Sequence, residues 1–225
     1  MKRTNTMLSL LAAVCVFCLI LTVSIGLPIY IRPFYYAHIE ALELQERSGY
    51  TAEEIRQAYD QVLDYLTIPG KPFGTGKMAN SESGKDHFKD CRGLFFLNGG
   101  VLITSGGILS LLTLLRRKGK LAPLGLRGRS PVYWGALAVI VIPVVVGILA
   151  ALDFDRAFVV FHAVFFPGKD NWRFNSNADE IIRVLPQQFF MHCAMFIGGG
   201  LLSLSGGLLL WESCKKRKER KWIKP

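Results

Sequence analysis

Four uncharged blocks constrain this chain more than anything else in it. They cover residues 7–30, 94–115, 132–152 and 189–211, each 21 to 24 residues long. About 20 apolar residues at roughly 1.5 Å rise each cross a bilayer core of about 30 Å. Only helices and closed barrels satisfy their own backbone in lipid, and blocks this long and continuous predict helices. The expected fold class is therefore an all-α integral membrane protein. Four transmembrane helices carry a helical and irregular extracytoplasmic cap built from the two long connections. The first block is far longer than the 7–15 residue core of a signal peptide and no A-x-A-like site follows it, so it is expected to be a retained anchor.

Charge orients these blocks. Segments 1–6, 116–131 and 212–225 hold 15 Lys and Arg against two acids, Glu212 and Glu219. Segments 31–93 and 153–188 hold 12 basic and 15 acidic residues. Basic loops stay inside, so both termini and 116–131 are expected in the cytoplasm, with 31–93 and 153–188 outside as a single membrane unit's cap. The net charge of +10 is thus a topology signal rather than a nucleic-acid footprint, although the basic tails suit anionic lipid headgroups. No ionisable residue lies at mid-span, which argues against a transporter.

The outer loops are too long to be plain connectors. In "SGYTAEEIRQAYDQVLDYLTIPG", Thr51 and Glu54 form a capping box and Pro69-Gly70 ends the run. Ile55, Tyr59, Val62, Leu63 and Leu66 make its apolar stripe. "PFYYAHIEALELQERSG" before it reads as helical, and the Gly-, Ser- and Lys-rich tract that follows reads as an irregular or mobile loop. In the second loop, Asp153 or Asp155 caps a short helix that Pro167-Gly168 ends, and "GKDNWRFNSNAD" is loop. Gly clusters "GGVLITSGG" and "GGGLLSLSGG" in the second and fourth blocks are expected to pack helices closely, and Pro143 to kink the third.

Within that short helix, "FVVFHAVFF" sets His162 among Phe158, Phe161, Phe165 and Phe166, at spacings that share one helical face. His87, in "KDHFKDC", has Asp86 and Asp90 within a turn. A neutral imidazole beside a carboxylate can be held in one tautomer and serve as a general base. His38 and His192 read as interfacial polar residues. Among the five cysteines, Cys15 and Cys18 are expected to pack inside the first span, and a Cys91–Cys193 disulfide is conceivable. No H-E-x-x-H occurs, and haem or metal chemistry finds no ligand pattern.

The phrases "FHAVFF…W.F…D.II.VLP..FF" and "HFKD…LF", together with the layout, resemble the bacterial lipoprotein intramolecular transacylase family. The likeness covers most of the chain, including the first span, "YTAEEIRQAYDQVLDYL", "DHFKD" and the loop before the last span. It implies a four-span enzyme with an extracellular cap in the bacterial cell membrane. Its substrate would be a diacylated lipoprotein embedded in membrane lipid, with no nucleic-acid partner. The sn-2 acyl chain of the S-diacylglyceryl cysteine would pass to the cysteine α-amine, leaving an N-acyl, S-monoacylglyceryl lipoprotein. The resemblance carries the two family histidines onto His87 and His162. One would act as base and the other as acid or oxyanion partner, in either order. Its acidic residue upstream of the first histidine finds Glu82 or Asp86 here; Asp90, Asp155 or Asp86 would orient an imidazole. Phe161, Phe165, Phe166 and Trp172 would line the substrate pocket and exclude water. With nucleophile and ester in one molecule, no Ser elbow, cofactor or metal is needed. The alternative is a four-span protein without enzymatic activity whose cap binds a partner. Clustering of His87, His162 and Trp172 discriminates between the two.

Overall fold

A computed structural model describes residues 5–223. Lys2, Arg3 and Lys224 of the basic terminal segments lie outside the described residues. The regular elements of the described chain are all helices: α1 (Thr6–Tyr30), α2 (Arg32–Ala41), α3 (Leu44–Ser48), α4 (Ala52–Thr67), α5 (Glu82–Arg117), α6 (Pro131–Leu152), α7 (Phe154–Phe165), α8 (Ile181–Val184) and α9 (Gln187–Ile223). By length and apolar composition α1, α5, α6 and α9 can each cross a membrane. The fold is all-α and membrane-integral.

The residues form two compact units. Among the described residues, the first holds 5–25, 99–148 and 197–223. Its core is Val16, Ile20, Ala136, Val139 and Leu201. Val141, Val144, Val145, Ile148, Leu202 and Leu210 are exposed, as a lipid-facing surface requires. At one end Leu126 and Arg129 exchange backbone hydrogen bonds around Arg127 and Gly128, both at positive φ. This is the pairing of a two-residue hairpin turn, and Trp134 Nε1 donates to its Leu126 carbonyl at 2.9 Å.

The close helix approach in this unit is made at Gly135 rather than at the Gly clusters. A Cβ on Gly135 would stand 2.6 Å from the Ala13 carbonyl oxygen and 2.7 Å from Val16 Cβ. Gly99, Gly100, Gly107, Gly199, Gly206 and Gly207 have open space at that place. Small residues draw helices together only where they face a neighbour, and these face outward. Gly135→Ala should therefore force α1 and α6 apart and destabilise by about 1–3 kcal/mol. Thermal unfolding in detergent will read this as a lowered midpoint, with Gly199→Ala unchanged or raised as the control.

The second unit holds 26–98 and 149–196. Its core is built on α4, whose stripe Ile55, Ala58, Tyr59, Val62, Leu63 and Leu66 is buried against Tyr35, Ile39, Leu44, Ile181, Val184 and Phe189. Both halves of the capping box form: Thr51 N donates to Glu54 Oε2 at 3.0 Å and Glu54 N to Thr51 Oγ1 at 3.3 Å. Tyr35 stacks on Tyr59 with centroids 3.7 Å apart and donates its hydroxyl to the Val184 carbonyl at 2.7 Å. On the polar side Arg32 pairs with Asp60 and Asp64.

The tract before α5 is irregular but tied down. Thr75 and Met78 are buried, and Gly76 N donates to Gln61 Oε1 at 2.9 Å. Ser81 then starts α5: its hydroxyl accepts from Gly84 N at 3.0 Å. Buried Asp179, far along the chain, accepts from Ser81 N and Oγ, each at 2.8 Å. As a result "KDHFKDC" lies on a helix, not in a loop. α5 begins at Glu82 and runs without a break to Arg117. Residues 82–92 carry six charges, so only the uncharged 94–115 part has the composition to sit in hydrocarbon.

Candidate active site

His87, in the second turn of α5, and His162, on α7, are each 6% exposed. Their ring centroids lie 5.8 Å apart. α7 is placed by Asp153, whose carboxylate accepts from Arg156 N at 2.9 Å. It is stopped by Pro167 and by Gly168 at φ 73°, a Pro-Gly pair at the centre of a turn closed by Lys169 N on the Phe166 carbonyl at 3.2 Å. The chain after this turn brings Trp172 back flat over His162, at 4.4 Å and 25°.

Aromatic rings enclose both imidazoles. Phe166 is 5.0 Å from His87 and 5.7 Å from His162, and Phe174 meets His87 edge-on at 5.4 Å. Phe158 lies 4.3 Å from His162. Phe161 and Phe165 lie on the outer part of the stripe: both are 48% exposed, tilted against each other with centroids 4.6 Å apart, with Phe161 reaching the His162 ring edge-on at 5.4 Å. The face proposed from spacing is thus split. Phe158, His162 and Phe166 turn inward, and Phe161 and Phe165 outward.

No candidate carboxylate touches an imidazole. Asp86 is exposed, and Asp155 accepts from Gln187 Nε2. Asp90 is taken up by Lys169 and by Asn171 Nδ2 at 3.1 Å. Its carboxyl lies below the usual range, because the bonds from Lys169 and Asn171 outweigh its partial burial. Instead, His162 Nδ1–H donates to the Phe158 carbonyl at 2.8 Å, which fixes its tautomer and leaves the lone pair on Nε2. His87 Nε2 lies 3.4 Å from Cys91 Sγ. Cys91 and Cys193 are free thiols, and burial pushes the Cys91 thiol up to about 12, so it stays protonated.

Burial also keeps both imidazoles neutral. His162 lies below the ordinary histidine value through desolvation, which the Phe158 carbonyl partly offsets. His87 falls to about 4, first through burial and then through the neighbouring His162. Unfolding returns that ring to about 6.5, so acid between about 6.5 and about 4 favours the unfolded chain and stability rises with pH across this window. In an NMR titration of the substrate-free protein, His87 should remain neutral down to about pH 4. A midpoint at or above the ordinary value contradicts the dry site.

The other two histidines form their own pair. His38 Nδ1–H donates to the Phe34 carbonyl at 2.6 Å, and its Nε2 meets His192 Nδ1 at 3.0 Å. Sequence reasoning missed this pairing and missed Asn171 and Phe174 beside His87. Phe174 had a signal, one aromatic two residues past Trp172; Asn171 had none in a polar loop. A hollow of about 460 Å³ lined by Tyr36, Glu53, Arg56, Asp60 and Asp64 also opens on this unit, but no imidazole lines it, and Asp60 and Asp64 are paired with Arg32. Among the described residues no three His, Cys, Asp or Glu side chains converge within reach of one metal ion.

The family described as lipoprotein intramolecular transacylase Lit matches residues 10–190. The chain belongs to that family. It is a membrane-integral acyltransferase, a lipoprotein intramolecular transacylase. Among solved structures it is similar to the transacylase Lit from Bacillus cereus, at 25% identity with a TM-score of 0.80, covering 94% of this chain and 97% of that one. A histidine-to-arginine variant of the Bacillus cereus enzyme aligns at 24% identity with a TM-score of 0.73, over 95% and 93%. A histidine-to-alanine variant aligns at 25% and 0.73, over 94% of each chain. The comparison with curated proteins found no match.

Proposed function

We propose that this enzyme moves the sn-2 acyl chain of an S-diacylglyceryl-cysteine lipoprotein onto the cysteine α-amine, with His87 and His162 carrying the protons. The single observation that carries the reading is the convergence of two buried, neutral imidazoles inside one aromatic enclosure. In the proposed topology both termini are cytoplasmic and 31–93 and 153–188 face outward, where a diacylated lipoprotein presents its N-terminus. The excess of Lys and Arg in 116–131 and in the terminal segments supports this orientation.

The proton count suits two imidazoles. The α-ammonium, with an ordinary pKa of about 8, becomes an amide nitrogen and so loses two protons. One is released. The other travels to the glyceryl oxygen as the ester C–O bond breaks and the C–N bond forms. His162 Nε2 carries a lone pair at rest, so it accepts first; once protonated it donates from the same nitrogen to the leaving oxygen. The neutral ring has no N–H to offer an oxyanion, because its own is committed to the Phe158 carbonyl. Trp172 and Phe158, against the His162 ring, stabilise the imidazolium through their π faces. The enclosure excludes water, which would otherwise hydrolyse the ester, and holding amine and ester together supplies the effective concentration that a covalent enzyme intermediate supplies elsewhere.

The product is an isomer of the substrate, so intact mass cannot report the reaction. Fragmentation spectra of a reporter lipoprotein co-expressed with the chain should show the acyl group on the cysteine nitrogen. A mixture of light and heavy acyl-labelled reporters should show no exchange between molecules. Acyl groups that remain on the glyceryl oxygen, or that scramble between labels, overturn the proposal.

A further inference from the structure

His87 has no carboxylate beside it, yet its surroundings define which nitrogen carries its proton. Asp90 can only accept hydrogen bonds, so the amide that it holds must offer it an NH2, and Asn171 Nδ2 stands 3.1 Å from Asp90 Oδ2. Lys169 braces the same carboxylate from its other oxygen. Asn171 therefore cannot flip without losing that bond, and its Oδ1 is turned away from Asp90. Oδ1 is buried and has no hydrogen-bond partner, and His87 Nδ1 is likewise buried and without one. The amide is close enough to act on the ring as a hydrogen-bond partner that favours its protonated form, although the two atoms fall short of strict hydrogen-bond geometry. Such bonds are often long in a substrate-free site and tighten when substrate binds. On the ring's other side, the Cys91 thiol keeps its proton and lies 3.4 Å from Nε2. A thiol that offers a hydrogen suits a lone pair.

We infer that Asn171 is a positioning residue for the reaction: locked by Asp90 and Lys169, it presents Oδ1 to His87, holds the proton on Nδ1, and leaves Nε2 as the nitrogen that takes a proton from the substrate amine. Asp90 acts on His87 at one remove, through the amide. When Nε2 accepts a proton the ring becomes a cation in a dry enclosure, and Asn171 Oδ1 is the acceptor that stabilises the Nδ1–H of that cation. This rests on His87 being part of the proton traffic.

The test compares Asn171→Ala, Asp90→Ala and Asp90→Asn with the unaltered enzyme and with His87→Ala. Expected are a kcat reduced by about 10- to 100-fold in Asn171→Ala, the loss typical of removing a partner that orients a histidine, with KM within about twofold. Asp90→Ala should lose less, because the amide is then free to rotate but still present. Asp90→Asn should lose least, since its own carbonyl still accepts from Asn171. Nitrogen NMR shifts of the His87 ring should report Nδ1–H in the unaltered enzyme and a tautomer mixture in Asn171→Ala. An Asn171→Ala enzyme with unchanged kcat and unchanged tautomer, alongside an inactive His87→Ala, overturns the positioning role and leaves the two-imidazole reading standing. A fully active His87→Ala overturns that reading itself. A lowered unfolding midpoint in Asn171→Ala with no change of tautomer assigns the residue to stability and also overturns the inference.

Discussion

Alanine at His162 should stop N-acylation while the protein still inserts and folds. The ring is the better placed of the two proton acceptors: Nδ1–H is spent on the Phe158 carbonyl, Nε2 carries the lone pair, and Trp172 lies flat on the ring. General acid–base catalysis by one such group contributes about 10²–10⁴-fold. Here the same nitrogen takes the proton from the amine and returns it to the glyceryl oxygen, so the upper part of that range is expected. His87→Ala should lose a comparable factor. The double variant should be little worse than either single one, because groups that act as a unit do not contribute additively. The check is the initial rate of amide formation in purified enzyme, set beside the unfolding midpoint in detergent. A His162→Ala enzyme with normal midpoint and more than a tenth of the activity would remove this residue from the reaction.

A second large effect should come from Gly84, which touches no imidazole. A Cβ there would collide with Asp179 Oδ1 and stand 2.9 Å from Asp179 Cγ and 3.0 Å from Phe174 Cε1. Asp179 cannot easily retreat, since it is buried and holds both Ser81 N and Ser81 Oγ at the start of α5. Gly84→Ala must break that grip or push the 174–179 segment outward, and Phe174 leaves the edge of His87 with it. Overpacking costs about 1–3 kcal/mol, and the displaced wall admits water. Loss of most transfer activity is expected together with a lowered unfolding midpoint. Asp179→Ala should destabilise by a similar amount for a different reason, because it takes the acceptor from the half-buried Ser81 N and Oγ at the start of α5, at about 1–3 kcal/mol. If Gly84→Ala retains both its midpoint and its activity, the contact has been misjudged.

Local signals carried much of the architecture. The four uncharged blocks fall within α1, α5, α6 and α9, and α4 was readable from end to end because Thr51 with Glu54 at its start and Pro69-Gly70 at its end each act on the backbone beside them. The same holds for α7, between Asp153 and Pro167-Gly168. The start of α5 was not readable: "SESGKDHFKD" has no apolar period, and its helix is held by a carboxylate about a hundred residues away in the chain. The pairing of His87 with His162 came from resemblance rather than periodicity, since two separate loops must meet for it. Asn171 escaped for the same reason; nothing in a polar loop tells which amide meets a carboxylate on another helix. The Gly clusters misled in part, because small residues mark a potential contact surface and the fold decides where a neighbour arrives: Gly106 and Gly198 face Leu19 and Pro143, while Gly99, Gly100, Gly107, Gly199, Gly206 and Gly207 face open space.

The segment from Lys169 to Asp179 is moored twice on the same helix, near its start through Lys169 and Asn171 on Asp90 and at its end through Asp179 on Ser81. The anchor points run in opposite senses, so the segment lies back along roughly 13 Å of α5 at about 1.5 Å per residue. It therefore cannot swing from one end like a door. Any breathing that uncovers the imidazoles has to release both knots together, which makes the opening rare and all-or-none, and hydrogen exchange in this stretch should proceed as one cooperative event.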